Sequence, residues 1–127
     1  MKYYEIDLNG ETIKFRLTTA DAVALESKTN TKMMDLVMDY SHTTIATLIR
    51  YLRRSEVENF SDKDAYALID KLIDNGYTIE TIVYDIIFEA LVVSGFLSKE
   101  QLEEVKKELK ISQEKTKEKI KADLATQ

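Results

Sequence analysis

The chain has no cysteine, no proline and only three glycines among its 127 residues. The lack of cysteine excludes disulfides, thiolate nucleophiles and cysteine-ligated zinc, and it is compatible with a reducing cytoplasm. Three glycines do not supply a glycine-rich phosphate loop, and no Ser, His and Asp residues have the spacing of a catalytic grouping. We therefore expect a protein that is not an enzyme and that binds no cofactor and no metal.

Long apolar runs and an excess of positive charge are also missing. No uninterrupted apolar stretch approaches the roughly 18 residues of a membrane span, and the N-terminus alternates apolar and acidic residues, unlike a signal peptide. Lys and Arg number 18 against 23 Asp and Glu, a formal charge of −5. Nucleic-acid affinity rests largely on neutralising phosphates. We expect a soluble protein with no membrane and no nucleic-acid partner.

The first strong signal that is present is the stretch YYEIDLNGETIKFRL, residues 3–17. Asn9-Gly10 predicts a two-residue type I′ turn, which places Ile6 opposite Ile13 and gives the ribbon one apolar face. An isolated two-stranded ribbon is marginal in water. Its apolar face must therefore be covered by the helices that follow or by a second copy. Both ribbon edges are expected to be open, and we predict a homo-oligomer that assembles through them.

After Leu17 the apolar period changes from 2 to 3.6, which predicts helices. Their approximate ranges are 18–30, 31–40, 43–54, 61–75 and 78–94, followed by a last helix that begins at a Ser98-x-x-Gln101 capping box. The fourth helix is expected to bury one row of side chains: Ala65, Leu68, Ile69, Leu72 and Ile73. The fold class is α+β, mainly α, with an N-terminal β-hairpin and about five or six helices.

The domain organisation follows from charge. Residues 1–97 are predicted to form the hairpin and helical core domain, a size that buries a core without metal or disulfide staples. Residues 98–127 are predicted to form a charged C-terminal helix or tail, because 99–127 hold 8 Lys and 7 acidic residues with few apolar ones. Such Glu/Lys spacing supports a solvated helix through weak i,i+4 pairs.

Asp35, Asp39 and His42 would share a face if one helix ran through all three, and they would then offer two carboxylates and an imidazole to a metal. Ser41 and Thr43 are better helix caps than interior residues. We therefore expect the helix to end before His42, with the three side chains facing solvent.

Three of the four arginines, Arg50, Arg53 and Arg54, close the third helix. Cations at this end complement the negative pole of the helix dipole, which explains their position. A nucleic-acid patch is the alternative, but no lysine cluster or aromatic platform extends it.

The most informative feature is an excess of apolar residues. The helix from Thr78 carries one complete apolar stripe and, beside it, a second made of Tyr84, Phe88 and Val92. Such a helix is either central in the fold or exposes apolar area that a partner covers. Met33, Met34 and Met38 lie within six residues of each other, and flexible methionines suit irregular apolar surfaces, although core filling is the simpler interpretation. These six residues are the predicted partner-binding set.

The elements follow one another in a set order, which is the hairpin, then RLTTADAVALESK, a helical middle and a long apolar helix ending VVSGF. This order resembles that of the tail assembly chaperones of long-tailed, non-contractile bacteriophages and related prophages. The resemblance covers residues 3–97. Its most specific parts are YEIDLNGETIKFRLTT, leading into ALE, and the SGF after the last core helix. None of these is a catalytic signature.

The resemblance implies a small α+β protein that acts in the host cytoplasm and is absent from the mature virion. Members of that family coat the tape measure protein, keep it soluble, bring tail tube protein to it and tend to self-associate. Many exist in two lengths through ribosomal frameshifting, and this chain would be the short form. The alternative from a different class is a small acidic helical adaptor or regulator that binds a host protein, or less readily nucleic acid.

Overall fold

The computed structural model describes residues 2–109. The chain divides into two compact units, Met1–Leu97 and Ser98–Gln127. The first unit is an antiparallel hairpin followed by five helical segments, so the fold is α+β, mainly α, as predicted. The part of the predicted charged tail beyond residue 109 lies outside the described residues.

Strands β1 (Tyr4–Leu8) and β2 (Glu11–Phe15) form the hairpin. Their register pairs Tyr4 with Phe15 and Ile6 with Ile13, as the sequence predicts. Asn9 (φ 52°) and Gly10 (φ 82°) both have positive φ, the requirement of a type I′ turn. Turn chemistry and hydrophobic alternation therefore specify the same register.

Five helices follow in the first unit. They are α1 (Thr19–Thr29), α2 (Met33–Val37), α3 (His42–Arg53), α4 (Asp62–Asp74) and α5 (79–93). In α5, a π-helical segment, Ile82–Ile87, separates two α-helical segments, Ile79–Thr81 and Phe88–Val93. Helix α2 is shorter than the predicted range 31–40 and ends before Met38, which has an αR backbone at its C-cap.

Local side-chain hydrogen bonds fix the starts of several helices. Thr18, Ser41 and Ser61 cap α1, α3 and α4, each accepting from a backbone N–H three residues on. Ser61 and Asp64 form a complete capping box, the arrangement that the sequence predicts. Helix α1 stops at Asn30, which adopts the left-handed conformation (φ 49°) that asparagine tolerates.

The apolar face of the hairpin is buried in the first unit. Ile6, Leu8, Ile13 and Phe15 are each less than one-tenth exposed. The backbone N–H of Leu17, just after β2, donates to Ser94 Oγ at the end of α5 at 2.9 Å. The ribbon is therefore covered by helices of its own chain, one of the two possibilities raised by the sequence.

The two edges of the ribbon differ. On the β2 side, the N–H of Arg16 donates to the carbonyl of Leu52 at 2.9 Å, and Arg53 Nη1 donates to the carbonyl of Lys14 at 2.7 Å. The C-terminal end of α3 thus occupies this edge. The expectation that both edges are open is wrong for the end of β2, because Arg53 satisfies the outward carbonyl of Lys14.

In the second unit, residues 99–109 are helical. Gln101 Oε1 accepts from the Ser98 N–H at 2.9 Å, and Ser98 Oγ accepts from the Gln101 N–H at 3.0 Å. This reciprocal pair is the predicted capping box. The predicted inward side chains of this helix, Leu102, Val105 and Leu109, are all buried.

Candidate partner-binding groove

A groove of about 450 Å³ lies between the N-terminal half of α3, one face of α4 and the start of α5. Its apolar lining residues are Ile45, Ala46, Tyr66, Ile69, Ile73 and Ile79. His42, Thr43 and Asp70 supply its polar lining. We call this feature the α4 groove.

Helix α4 exposes apolar area because it carries two adjacent stripes. Its core stripe, Ala65, Leu68 and Leu72, is buried. The second stripe consists of Tyr66, Ile69 and Ile73. Each of these follows a residue of the core stripe by one position. Since the second stripe has the same i, i+3, i+7 spacing, it lies on the neighbouring face. Tyr66 is 54 % exposed and Ile73 is 43 % exposed.

This second stripe corrects the sequence interpretation of α4. Ile69 and Ile73 were expected to be inward with Leu68 and Leu72, but Ile69 is only partly buried and Ile73 is exposed. Three core positions already fill the interior side of α4, so the remaining apolar side chains face outward. The spacing of Tyr66, Ile69 and Ile73 was visible in the sequence, but periodicity alone did not separate the two stripes.

The charges around the α4 groove are acidic. Asp70 lines the groove, and Asp74 lies one helical turn further along α4. Two nearby cations are engaged elsewhere: Lys71 Nζ contacts Glu11 Oε2 at 2.8 Å, and Arg50 Nη1 contacts Asp62 Oδ1 at 3.1 Å. Lys63, in the first turn of α4, is exposed and does not line the groove. Within residues 2–109, Asp70 and Asp74 form no ion pair.

The predicted second apolar stripe of α5, made of Tyr84, Phe88 and Val92, is not a continuous surface. Phe88 is 0 % exposed, whereas Tyr84 and Val92 are partly buried. The rings of Tyr84 and Phe88 are in contact, with centroids 5.7 Å apart. Phe88 is therefore a core residue, and we remove it from the predicted partner-binding set.

The π-helical segment explains this correction. The Phe88 N–H donates to the Val83 carbonyl, five residues back rather than four. An i→i+5 turn holds more residues than an α turn, so the side chains after it lag by up to one residue's rotation, about 100°. This rotation brings Phe88 from the outer side of an ideal helix toward the buried side. A uniform 3.6-residue period places it wrongly.

The three methionines are not equivalent. Met33 is partly buried, and its N–H donates to Glu26 Oε2 at 2.9 Å. Met34 is 43 % exposed and Met38 is 37 % exposed. None of the three lines the α4 groove. Met34 and Met38 are exposed apolar side chains and stay in the predicted set as a second surface.

The possible metal ligands are not assembled. Helix α2 ends at Val37 and α3 begins at His42, so no single helix aligns Asp35, Asp39 and His42. The Asp39 carboxylate instead accepts from Thr44 Oγ1 at 2.6 Å and from the Ser41 N–H at 2.9 Å, and these bonds lower its pKa. Within residues 2–109 no group of three acidic or His residues could hold a metal ion.

The three arginines at the end of α3 make internal contacts. Arg50 pairs with Asp62, and Arg54 Nε lies 3.7 Å from Asp21 Oδ1. Arg53 is half-buried between two aromatic rings, and its burial lowers its pKa. A nucleic-acid patch at this helix end has no support from the geometry, since each guanidinium already binds a group of the same chain.

Comparison with known proteins finds no family model, no curated protein and no solved structure that matches the chain. None of the helices in residues 2–109 combines the length and hydropathy needed to cross a bilayer. We therefore infer function from the geometry of the molecule.

Proposed function

We propose that this protein is a noncatalytic tail assembly chaperone, which binds and solubilises the tape measure protein of a long-tailed phage in the host cytoplasm and recruits tail tube subunits to it. The observation that carries the proposal is the α4 groove, where Tyr66 and Ile73 are exposed beside half-buried isoleucines. Contiguous exposed apolar area is typical of a protein-binding surface.

The shape of the groove suits a helix. Tyr66, Ile69 and Ile73 extend over two turns of α4, about 10 Å along its axis at 1.5 Å per residue. An amphipathic helix presents anchors at i, i+3, i+4 and i+7 over a similar length, and it binds by inserting them into such a groove. The proposed occupant is therefore an apolar helical face of the tape measure protein.

A second observation concerns the two stretches on which the family resemblance rests. The end of the hairpin stretch, Leu17, and the serine of the SGF stretch, Ser94, are hydrogen bonded to each other at 2.9 Å across 77 residues. The two stretches therefore contact each other within the first unit. None of their residues lines the groove.

Co-expression with a tape measure protein tests the proposal. The chain should raise the soluble yield of the tape measure protein, and Ile73→Asp should cancel that effect, because it places a carboxylate in the apolar lining. Val23→Asp is the matched control, since Val23 is 58 % exposed on α1 and does not line the groove. Circular dichroism should show both variants folded, since both side chains are at the surface.

Two results would contradict the proposal. The first is an unchanged yield of soluble tape measure protein with the wild-type chain. The second is an equal effect of Ile73→Asp and Val23→Asp, which would remove the α4 groove from the binding site.

A further inference from the structure

We propose that the helix bound in the α4 groove carries Lys or Arg along one border of its apolar face, and that Asp70 and Asp74 select this border. This inference rests on the proposed function and adds the chemistry of the partner. It is argued from the order of side-chain rows around α4.

Three rows run side by side along α4. Leu68 and Leu72 form the row facing the core, and both are buried. Ile69 and Ile73 form the next row, which lines the groove. Asp70 and Asp74 form the third row, since residues four apart lie above one another on a helix. The carboxylates therefore border the apolar row on the side away from the core.

The acidic row is exposed and uncompensated. Asp70 and Asp74 are exposed, and neither forms an ion pair with another residue in 2–109. The adjacent Lys71 is held by Glu11 on β2 at 2.8 Å. Like charges at i,i+4 repel each other, and a cation placed beside both relieves this repulsion.

These charges favour one occupant over others. A helix with lysines beside its apolar anchors places ammonium groups against both carboxylates, and the chain's formal charge of −5 attracts it from a distance. A helix with acidic borders is repelled. A second copy of this chain is also disfavoured, because docking groove to groove would bring two acidic rows together.

Two synthetic helical peptides test the inference. They share one leucine face and differ only in its borders, which are lysine in one and glutamate in the other. At low salt the lysine peptide should bind about tenfold more tightly in fluorescence anisotropy. This ratio corresponds to the summed free energies of two partly solvated ion pairs. Added salt should reduce this preference, because it screens the pairs.

The doubly reversed variant Asp70→Lys, Asp74→Lys should prefer the glutamate peptide. Its fold should be retained, since cations near the C-terminal end of α4 complement the helix dipole. Asp70→Asn with Asp74→Asn gives a neutral row, and the preference for the lysine peptide should fall to the small part that the remaining net charge of the chain supplies. The charge-matched control is Glu56→Lys with Glu58→Lys, two exposed positions after α3 that do not line the groove.

The outcomes separate this inference from the proposed function. Equal binding of both peptides by the wild-type chain, or an equal effect of the control pair, would overturn the role of the acidic row. The groove would still stand if Ile73→Asp weakened both peptides. If Ile73→Asp left peptide binding unchanged, the groove itself and the proposed function would both fail.

Discussion

Arg53 Nη1 donates a 2.7 Å hydrogen bond to the carbonyl oxygen of Lys14, a residue 39 positions earlier in the chain. Its guanidinium lies 5.9 Å from the ring centroid of Phe15 and 5.7 Å from that of Phe60. One side chain thus joins the end of α3 to the outer edge of β2 and also contacts two buried rings, Phe15 and Phe60. Planar, weakly hydrated arginine suits this combination of stacking and directed donation.

Arg53→Lys should lower the free energy of unfolding by about 1–3 kcal/mol, because a single ammonium does not stack on two rings while bonding to a carbonyl. Urea unfolding followed by circular dichroism measures the loss. Arg54→Lys is the control for the bond to Lys14, since the Arg54 guanidinium also stacks on a ring, that of Tyr51 at 4.8 Å, but pairs with Asp21 at 3.7 Å instead of a carbonyl; its loss should be about 1 kcal/mol or less. Equal losses in the two variants would show that the bond to Lys14 is not stabilising.

Phe88→Ala should lower the free energy of unfolding by about 3–5 kcal/mol, the usual cost of emptying a fully buried phenylalanine site. Phe88 is 0 % exposed and packs against Tyr84. Tyr66→Ala, on the exposed stripe, should cost about 1 kcal/mol or less. Chemical denaturation of both variants gives the comparison, and a stable Phe88→Ala protein would return Phe88 to the surface set.

The parts of the fold that the sequence predicts well are those fixed by neighbouring residues. The Asn9-Gly10 turn sets the hairpin register, and the Ser61 and Ser98 capping boxes set two helix starts. Each depends on a few residues within the same turn, so the pattern determines the structure. The order of elements follows from these boundaries.

The parts that the sequence predicts poorly depend on tertiary packing. The π-helical segment of α5 turns Phe88 inward, and nothing in a 3.6-residue pattern marks it. Helix α4 has two apolar stripes with the same spacing, and only the packed structure shows that Leu68 is inward while Ile73 is outward. Tyr66 and Ile73, exposed on α4, were not among the predicted binding residues, whereas the predicted Phe88 is buried in α5.

Asp39 and Asp64 predict how stability depends on pH. Hydrogen bonds from Thr44 and Ser41 lower the pKa of Asp39, and those from Ser61 lower the pKa of Asp64, in both cases from 3.8. A carboxyl with a lowered folded-state pKa stabilises the protein above its unfolded pKa, and this stabilisation is lost as pH falls through the folded value. Stability should therefore decline below about pH 4.

The variant Asp39→Asn isolates one of these groups. It should be less stable than wild type near neutral pH, and the difference should shrink as pH falls below 3.8, where wild-type Asp39 begins to protonate on unfolding. Asp35→Asn is the control, because the Asp35 carboxylate accepts no hydrogen bond from any residue in 2–109. Thermal unfolding across a pH series measures both. A constant difference would show that the Asp39 bonds do not depend on its charge.

The β1 edge is the expected surface for the predicted self-association. Leu8 and Glu11 flank a two-residue turn and form a hydrogen-bonded pair, so the backbone groups of Glu5 and Asp7 point away from β2. No backbone hydrogen bond joins these two residues to the rest of 2–109. Because α3 contacts the β2 edge at Lys14 and Arg16, the predicted self-association through the ribbon should use the β1 edge.

Antiparallel pairing of two β1 strands brings acidic side chains opposite one another, which opposes association. Salt should therefore raise the apparent mass in light scattering over a concentration series. Glu5→Gln, which removes a charge and keeps the N–H, should strengthen association. Glu5→Pro should abolish it, because proline removes an outward donor that the hairpin itself does not use. A single-copy mass at every concentration and salt level would exclude self-association, and a Glu5→Pro protein that still associates would place the contact on another surface.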